Sequence, residues 1–584
     1  MHLEFVGTAH AGHPGARTFL IGANCVEIAL DTPGICLHLD LSLSLQGWRA
    51  EPWAAATPAS HADTENHSIF SVVDDMATCQ ATAQRPKKAD THRLTAGYSA
   101  PLVGLLMSAQ TIPTRGHTMN AARTPVQWQE FVSDCLDFRP QDGVYRVARK
   151  MFTEPQLFDL EMEHIFEKNW IYACHESEIA KSGDFVTMRA GRQPMIITRD
   201  ANNQLNALVN ACQHRGVTLT RLAKGRQPTF TCSFHAWTFR ADGKLLKVKA
   251  AEQYPDDFDL SSRNLKKARI ASYKGFVFIN LDTVGTESLE DFLGDAKVFL
   301  DLMVAQSPTG ELEVLPGKSS YSFDGNWKLQ NENGLDGYHV STVHYNYVAT
   351  VVQRQELNTQ NGITGPGTLD YRKLGAGDKN TDDGWFSFRN GHSVLFSEMP
   401  NPQVRPGYAT IMPRLVEEYG AKKAEWMMHR LRNLNVYPSL FFKDQISSQL
   451  RIIRPVAWNK TEVTSQCLGV KGESDADREN RIRQFEDFFN VSGLGTPDDL
   501  VEFKEAQRGF EARLEKWNDI SRGAENWARG STPNAETLGI RPVLTGTEIT
   551  QEGLYVNQHG AWQGFLLKGL KGQENAPHNE QGAQ

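Results

Sequence analysis

Cys212-Gln213-His214 is followed, after seventeen intervening residues, by Cys232-Ser233-Phe234-His235. Each half supplies one thiolate and one imidazole, so the four side chains can hold two irons asymmetrically, sulfur on one and nitrogen on the other. That is the ligand set of a Rieske [2Fe–2S] cluster, in which His replaces Cys on one iron and raises the potential. The flanks read as strand into loop: Leu205 to Asn210 before Cys212, and Thr229-Phe230-Thr231 before Cys232. Such runs project ligands from two hairpin tips, with Gly216 and Gly225 easing the turns between them. Structural zinc is the competing reading of Cys and His at short spacing. A zinc finger, however, usually orders two Cys before two His.

A second constellation, Asp336-Gly337-Tyr338-His339-Val340-Ser341-Thr342-Val343-His344, lies about a hundred residues on. Two neutral imidazoles and one carboxylate on one face of an iron leave the other face open, an arrangement suited to Fe(II) that must take O₂ beside a substrate. Five residues on an ideal helix turn by about 500°, leaving His339 and His344 about 140° apart. They converge only where the helix bulges or ends between them. Taken alone, the pair also reads as surface polar residues. The lead-in from Asn326-Trp327-Lys328 to Glu332-Asn333, mixing apolar and amide residues, favours a site. Asp499 is the favoured carboxylate, with Asp444 and Asp498 competing. Against Asp499 stands the reading of Thr496-Pro497-Asp498-Asp499 as an ordinary helix start, Thr496 being the N-cap and Pro497 at N1.

With 584 residues, two or three domains are expected. The hydrophobic share of 40% and charged share of 22% are those of a globular protein. A net charge of −8 argues against a nucleic-acid surface. No apolar run approaches the roughly 20 residues that span a bilayer. The chain start lacks a secretory signal pattern. Eight cysteines, two of them assigned to a cluster, do not form a disulfide framework, and a cytoplasmic location fits free thiolates.

Residues 1–118 differ in kind. They hold 8 of the 18 histidines and 3 of the 8 cysteines in about a fifth of the length, without sustained periodicity. Phe19-Leu20-Ile21-Gly22 and Leu41 to Gln46 are too short to build a core, and His10, His13 and Cys25 lack the spacing of a metal site. The expectation is that Met119 is the true initiator and 1–118 a non-native or disordered extension from a misplaced start; a real extension is the alternative. From Thr124 the pattern becomes helical, with Thr124 as N-cap and Pro125 at N1. Tyr273 to Leu281 reads as a buried strand, and Val463 to Val470 as a sheet strand. Residues 571–584 are polar and expected to be disordered.

From Met119 onward the chain resembles the large (α) subunits of Rieske non-haem iron aromatic-ring-hydroxylating dioxygenases, within them the benzoate, toluate and anthranilate group. The resemblance rests on Cys212 to Gly216, Cys232 to Trp237, Asn326-Trp327-Lys328, Glu332-Asn333, Asp336 to His339, and His344. Segments such as Asp137 to Pro140, Phe152 to Met162, Ile171 to Ser177, Leu374 to Asp378, Asp383 to Ser387 and Val436 to Phe442 fit the anthranilate branch. The implied fold is α+β: a small all-β Rieske domain at 160–284, inserted in an α+β catalytic domain with a central antiparallel sheet and helices. That catalytic domain would comprise a helical 119–159 segment and residues 285–570. By the same resemblance Cys212, His214, Cys232 and His235 hold one [2Fe–2S] cluster, and His339, His344 and Asp499 hold one mononuclear Fe(II). Asp444 falls outside the pattern, and Asp336 would bridge His339 to a Rieske His of a neighbouring subunit. The implied partners are a small β subunit in an α3β3 assembly and a separate flavin and [2Fe–2S] NAD(P)H reductase. The implied reaction is cis-dihydroxylation of a small aromatic carboxylate by O₂; anthranilate would give catechol, CO₂ and ammonia. Alternatives are benzoate or a substituted benzoate, or a Rieske electron-transfer protein without oxygenase activity.

Overall fold

The computed structural model describes residues 16–21, 24–29, 123–362, 382–445 and 447–574, the first two stretches as backbone only. The chain divides into two units, 1–112 and 113–584. In the first, Ala16–Ile21 and Asn24–Ala29 pair as an antiparallel hairpin, where the sequence had suggested no strand plan. Met119 lies outside the described residues, as do His10, His13 and Leu374 to Asp378.

In the second unit, Thr124 caps the helix Pro125–Ser133 in a reciprocal capping box with Gln127. The segment after it is not all helical as expected. Leu136–Arg139 and Val144–Ala148 form a hairpin that takes Trp517–Asp519, far along the chain, as a third strand. Strands this short, half-buried at nearly every position, carry no alternation that could be seen without their partner. Two short helices, Lys150–Thr153 and Pro155–Glu161, follow.

Strands between Ile171 and Asn280 then build a seven-stranded antiparallel sheet. A three-stranded sheet of Thr229–Thr231, Thr238–Arg240 and Leu245–Lys247 lies within the same stretch of chain. The buried strand expected within Tyr273 to Leu281 is Phe276–Asn280, buried at all five positions, and a turn at Lys274 and Gly275 joins it to the preceding strand Lys267–Tyr273. Both joining residues have positive φ, 51° and 90°, the conformation a two-residue hairpin loop requires.

The rest of the unit is built on an eight-stranded sheet, antiparallel throughout. Its order begins Leu312–Phe323, Lys460–Val470, Ser448–Ala457, Leu440–Asp444 and Arg430–Val436, and finishes Ser393–Glu398, Gly384–Ser387, Leu544–Gly546. The expected strand at Val463 to Val470 is part of it. The C-terminal helix Gly553–Glu574 packs on Pro125–Ser133, Gln563 Nε2 donating to the carbonyls of Val132 and Ser133 at 3.0 and 3.2 Å. It runs through Lys571 to Glu574, which the sequence had assigned to a disordered tail; residues 575–584 lie outside the described residues.

Glu161, before the inserted sheets, is 1% exposed. It accepts from Trp327 Nε1 at 2.8 Å, Lys328 Nζ at 2.5 Å and Trp562 Nε1 at 2.8 Å. The segments on either side of the insertion therefore fold as one body around a single carboxylate. Removing one partner of a buried ion pair leaves the other charge uncompensated, at a cost of about 3–5 kcal/mol. Glu161→Ala is expected to lower the midpoint of chemical denaturation by that order. Glu161→Gln, which still accepts from the indoles, should lose less; equal midpoints for wild type and Glu161→Ala would refute the assignment.

Candidate active site

The two Cys-His loops have the same backbone design. Cys212 N–H donates to Val217 O and Gly216 N–H to Cys212 O, both at 2.9 Å; Cys232 N–H donates to Trp237 O at 2.8 Å and Ala236 N–H to Cys232 O at 2.9 Å. The fourth residue after each Cys is left-handed, Gly216 at φ 73° and Ala236 at φ 59°. A non-glycine residue pays roughly 1–2 kcal/mol for that conformation, so the second loop holds its shape against local strain.

Cys212 and Cys232 are buried and neighbour one another, while the rings of His214 and His235 lie 4.6 Å apart edge to face. Two thiols paired with each other and two imidazoles paired with each other suit two irons rather than one tetrahedral ion. Burial raises the Cys212 thiol, and the adjacent Cys232 adds to the rise, so two thiolates placed there need a cation beside them. His235 Nδ1 is buried without a hydrogen-bond partner, and burial with the nearby cationic side chains lowers the ring's pKa. The donor set thus fits a Rieske cluster. Trp237 stacks on His214 at 4.9 Å and 11°. The outer edge of the loops is open: His214 is exposed, and Phe234 is 56% exposed.

At the second site the helix breaks where the His spacing requires. Val340–Val343 is a single turn, with His339 at its start and His344 at its end, and Tyr345–Gln360 begins afresh. The interruption swings the two rings together, Nε2 to Nε2 at 3.2 Å. Asp499 Oδ1 lies 3.5 Å from His339 Nε2 and 3.3 Å from His344 Nε2. Among the described residues these three form the one group of three or more ligand-type side chains whose ligand atoms lie within 4.8 Å of each other. Burial raises the Asp499 carboxyl, but the two histidines outweigh it and hold it well below the usual range. Burial likewise lowers His339, and the carboxylates of Asp336 and Asp499 outweigh it to bring its pKa to about 9. A carboxylate and two imidazole nitrogens converging on one point match a 2-His-1-carboxylate iron site.

The helix bearing Asp499 runs Thr496–Gly509, but Thr496 is not its cap. The Thr496 hydroxyl donates to Phe489 O at 3.0 Å and accepts from Arg451 at 2.8 Å. Asp498 points to the other side of His344, 3.8 Å from Nδ1. Asp444 is engaged by Arg405 at 2.7 Å and by Arg432, all three buried. Asp336 Oδ2 lies 3.4 Å from His339 Nδ1, an ion contact rather than an aligned hydrogen bond, and its Oδ1 accepts from the amides of Tyr338 and His339.

Sequence reasoning gave no role to Asn333, whose Nδ2 donates to Asp499 Oδ1 at 3.0 Å and lies 3.3 Å from His339 Nε2. It also passed over Asn433 and Lys443, which line the cavity beside the site. Only the quoted Glu332-Asn333 motif carried a signal for any of these.

Residues 169–273 match the family of the Rieske [2Fe-2S] domain, and residues 313–537 the catalytic domain of the ring-hydroxylating alpha subunit. Over 449 residues the chain is 72% identical to the anthranilate 1,2-dioxygenase large subunit of Acinetobacter baylyi, covering 77% of this chain and 95% of that one. It is 47% identical over 451 residues to the toluate 1,2-dioxygenase subunit alpha of Pseudomonas putida, covering 76% and 96%. Naphthalene 1,2-dioxygenase from Rhodococcus sp. bound to indole superposes with a TM-score of 0.61 at 25% identity, covering 72% of this chain and 94% of that one. The chain belongs to the large (α) subunits of the Rieske non-haem iron ring-hydroxylating dioxygenases, enzymes that carry a [2Fe–2S] cluster and a mononuclear iron. No helix among the described residues is long and apolar enough to cross a membrane.

Asp499→Ala is expected to lower bound iron by one atom per chain while the visible spectrum of the cluster stays unchanged. Iron analysis beside absorption spectroscopy checks this, and undiminished iron in the variant would reassign the ligand.

Proposed function

We propose that this chain is the large subunit of a two-component, cytoplasmic dioxygenase that cis-dihydroxylates anthranilate. Hydroxyls placed on the carbons bearing the carboxylate and the amine give a diol that loses CO₂ and ammonia, leaving catechol. The observation that carries the substrate is the 72% identity to an anthranilate 1,2-dioxygenase large subunit, against 47% to a toluate 1,2-dioxygenase subunit. Residues 160–284 would form the Rieske domain, with 119–159 and 285–570 forming the catalytic domain.

Cys212 and Cys232 would hold one iron of the cluster, and His214 and His235 the other. His339, His344 and Asp499 would hold the mononuclear Fe(II), which supplies O₂ activation once electrons reach it from the cluster. The side chains around it keep the site assembled. Asn333 fixes the Asp499 oxygen by donating to it, while Asp336 and Asp498 face the outer nitrogens of His339 and His344. Carboxylates so placed orient a ligating imidazole and strengthen it as a donor. Leu395, Phe396, Phe488 and Ile549 line the cavity, giving an aromatic ring an apolar seat and keeping bulk water away.

The partners we propose are a small β subunit in an α3β3 assembly and a flavin and [2Fe–2S] reductase using NAD(P)H. The open edge at His214 and Phe234 supports electron exit across a subunit boundary, with Asp336 as the bridge to His339. The test is release of catechol and ammonia from anthranilate by the assembled enzyme with reductase, NAD(P)H and O₂. Equal amounts of both are expected. A stable cis-diol from benzoate with no anthranilate turnover would move the substrate, and full electron-carrier function in Asp499→Ala would mean no oxygenase. Asp336→Ala should keep both iron centres and lose about 10–100-fold in turnover, with single-turnover reduction of the mononuclear site slowed to match.

A further inference from the structure

Leu395, Asn433 and Lys443 are register partners across three neighbouring strands of the eight-stranded sheet. All three line the cavity next to His339, His344 and Asp499. Directly opposed residues share one face of a sheet, with Cβ atoms about 4.5–5.5 Å apart, so Asn433 and Lys443 reach the cavity side by side.

Neither side chain is satisfied as buried polar groups normally are. Lys443 is 3% exposed, with its ammonium 4.5 Å from the Phe489 ring centroid. No Asp or Glu among the described residues lies within ion-pair distance of it. Lysine is almost never fully buried unless paired, and burying a charge without a partner is costly. Burial, with Arg451 adding to it, drives the Lys443 ammonium well below the ordinary lysine value, and Asp499 offsets only part. Asn433 is 5% exposed; its Nδ2 donates to Gly334 O at 3.1 Å, while its Oδ1 is buried with no donor. The two carboxylates of the lining are already engaged. Asp499 is held by Asn333 and the two imidazoles, and Asp336 by backbone amides and the His339 ring. The sheet thus offers the cavity a lysine side chain without a carboxylate partner beside an unfilled acceptor, on register-paired residues of neighbouring strands.

We infer that Lys443 binds the substrate carboxylate and that Asn433 Oδ1 accepts an N–H of the amine ortho to it. The inference rests on the proposed function, whose substrate is an ortho-aminobenzoate. Lys443 holds any aromatic acid, and Asn433 selects for the amine, so the pair fixes both which acid enters and which ring edge faces the iron.

The test uses the assembled holoenzyme and measures dissociation constants for anthranilate, benzoate and the neutral 2-aminobenzamide, alongside turnover. Lys443→Met is expected to weaken both acids at least about tenfold and the amide by less than about twofold, in keeping with loss of one charged hydrogen bond. Lys443→Arg should recover part of the loss. Asn433→Leu should weaken anthranilate about five- to tenfold more than benzoate; the benzoate arm absorbs any effect of freeing Gly334 O. Undiminished acid binding in Lys443→Met, or equal loss for the amide, overturns the Lys443 assignment. Equal losses of anthranilate and benzoate in Asn433→Leu overturn that of Asn433. If Lys443→Met fails to assemble its cluster, the wild type decides: a preference for anthranilate over 2-aminobenzamide below about twofold overturns the inference. Benzoate turnover without anthranilate turnover sinks the proposed substrate while the Lys443 assignment stands on the benzoate arm. Catechol from anthranilate with unaffected Lys443→Met binding does the reverse, and binding of neither acid sinks both.

Discussion

The buried carboxylate of Glu161 is the contact on which the rest of the unit depends. It gathers an indole and an ammonium from consecutive residues, Trp327 and Lys328, and a second indole from Trp562 in the C-terminal helix. A charge in that position is tolerable only because three donors neutralise and solvate it. The chain passes through the seven-stranded sheet and the three-stranded sheet within 229–247 between Glu161 and Trp327, so this knot returns it to the body it left. The helix it grips, Trp327–Asn333, ends on Asn333, which touches Asp499 and His339. The same helix is therefore pinned at one end by the fold's buried ion pair and delivers at the other a hydrogen bond into the iron site. A lapse in the first loosens the second, since sites built on rigid elements keep their geometry through the packing of those elements.

Three carboxylates compete in the sequence for one role beside the two histidines, and their partners in the structure separate them. Asp444 is surrounded by Arg405 and Arg432, which hold its carboxyl low against burial; it is spent on organising the sheet. Asp498 and Asp499 are adjacent on one helical turn, and successive residues on a helix point about 100° apart. That angle sends Asp499 to the Nε2 side of the histidines and Asp498 to the Nδ1 side. An Asp-Asp pair at a helix start thereby provides one group facing the converging Nε2 atoms and one facing the nitrogen behind.

Much of this was legible in the sequence, unevenly. The Cys-His loops announced themselves through residue types found together for few other reasons, and the awkward five-residue His spacing implied a helix break that the structure places at His344. Thr124 and Pro125 read correctly as a helix start because capping is local. Thr496 misread for the complementary reason: its hydroxyl is taken by Phe489 and Arg451, partners that no local window contains. The hairpin at Leu136–Arg139 and Val144–Ala148 was hidden similarly, its third strand lying at Trp517–Asp519. The turn at Lys274 and Gly275 was hidden because the apolar run Phe276 to Ile279 follows it at once.

Lys443 and Asn433 were illegible because their significance lies in register. In isolation Leu440–Asp444 is a strand of mixed residues, and a lysine in it reads as a solvated side chain. Placed fourth in an eight-stranded sheet, the strand has no solvent face at that point, and the lysine must either be paired or serve a ligand. Pairing across the sheet offers it only Asn433 and Gln449, both neutral amides. A cation surrounded by amides and aromatic rings, beside a cavity whose carboxylates are occupied, has its missing counter-charge in whatever enters that cavity. Under the proposed function, chemistry at the iron and recognition of an acid fall to different elements: loops and helix ends carry the proposed metal ligands, and the rigid sheet carries the groups inferred to read the substrate.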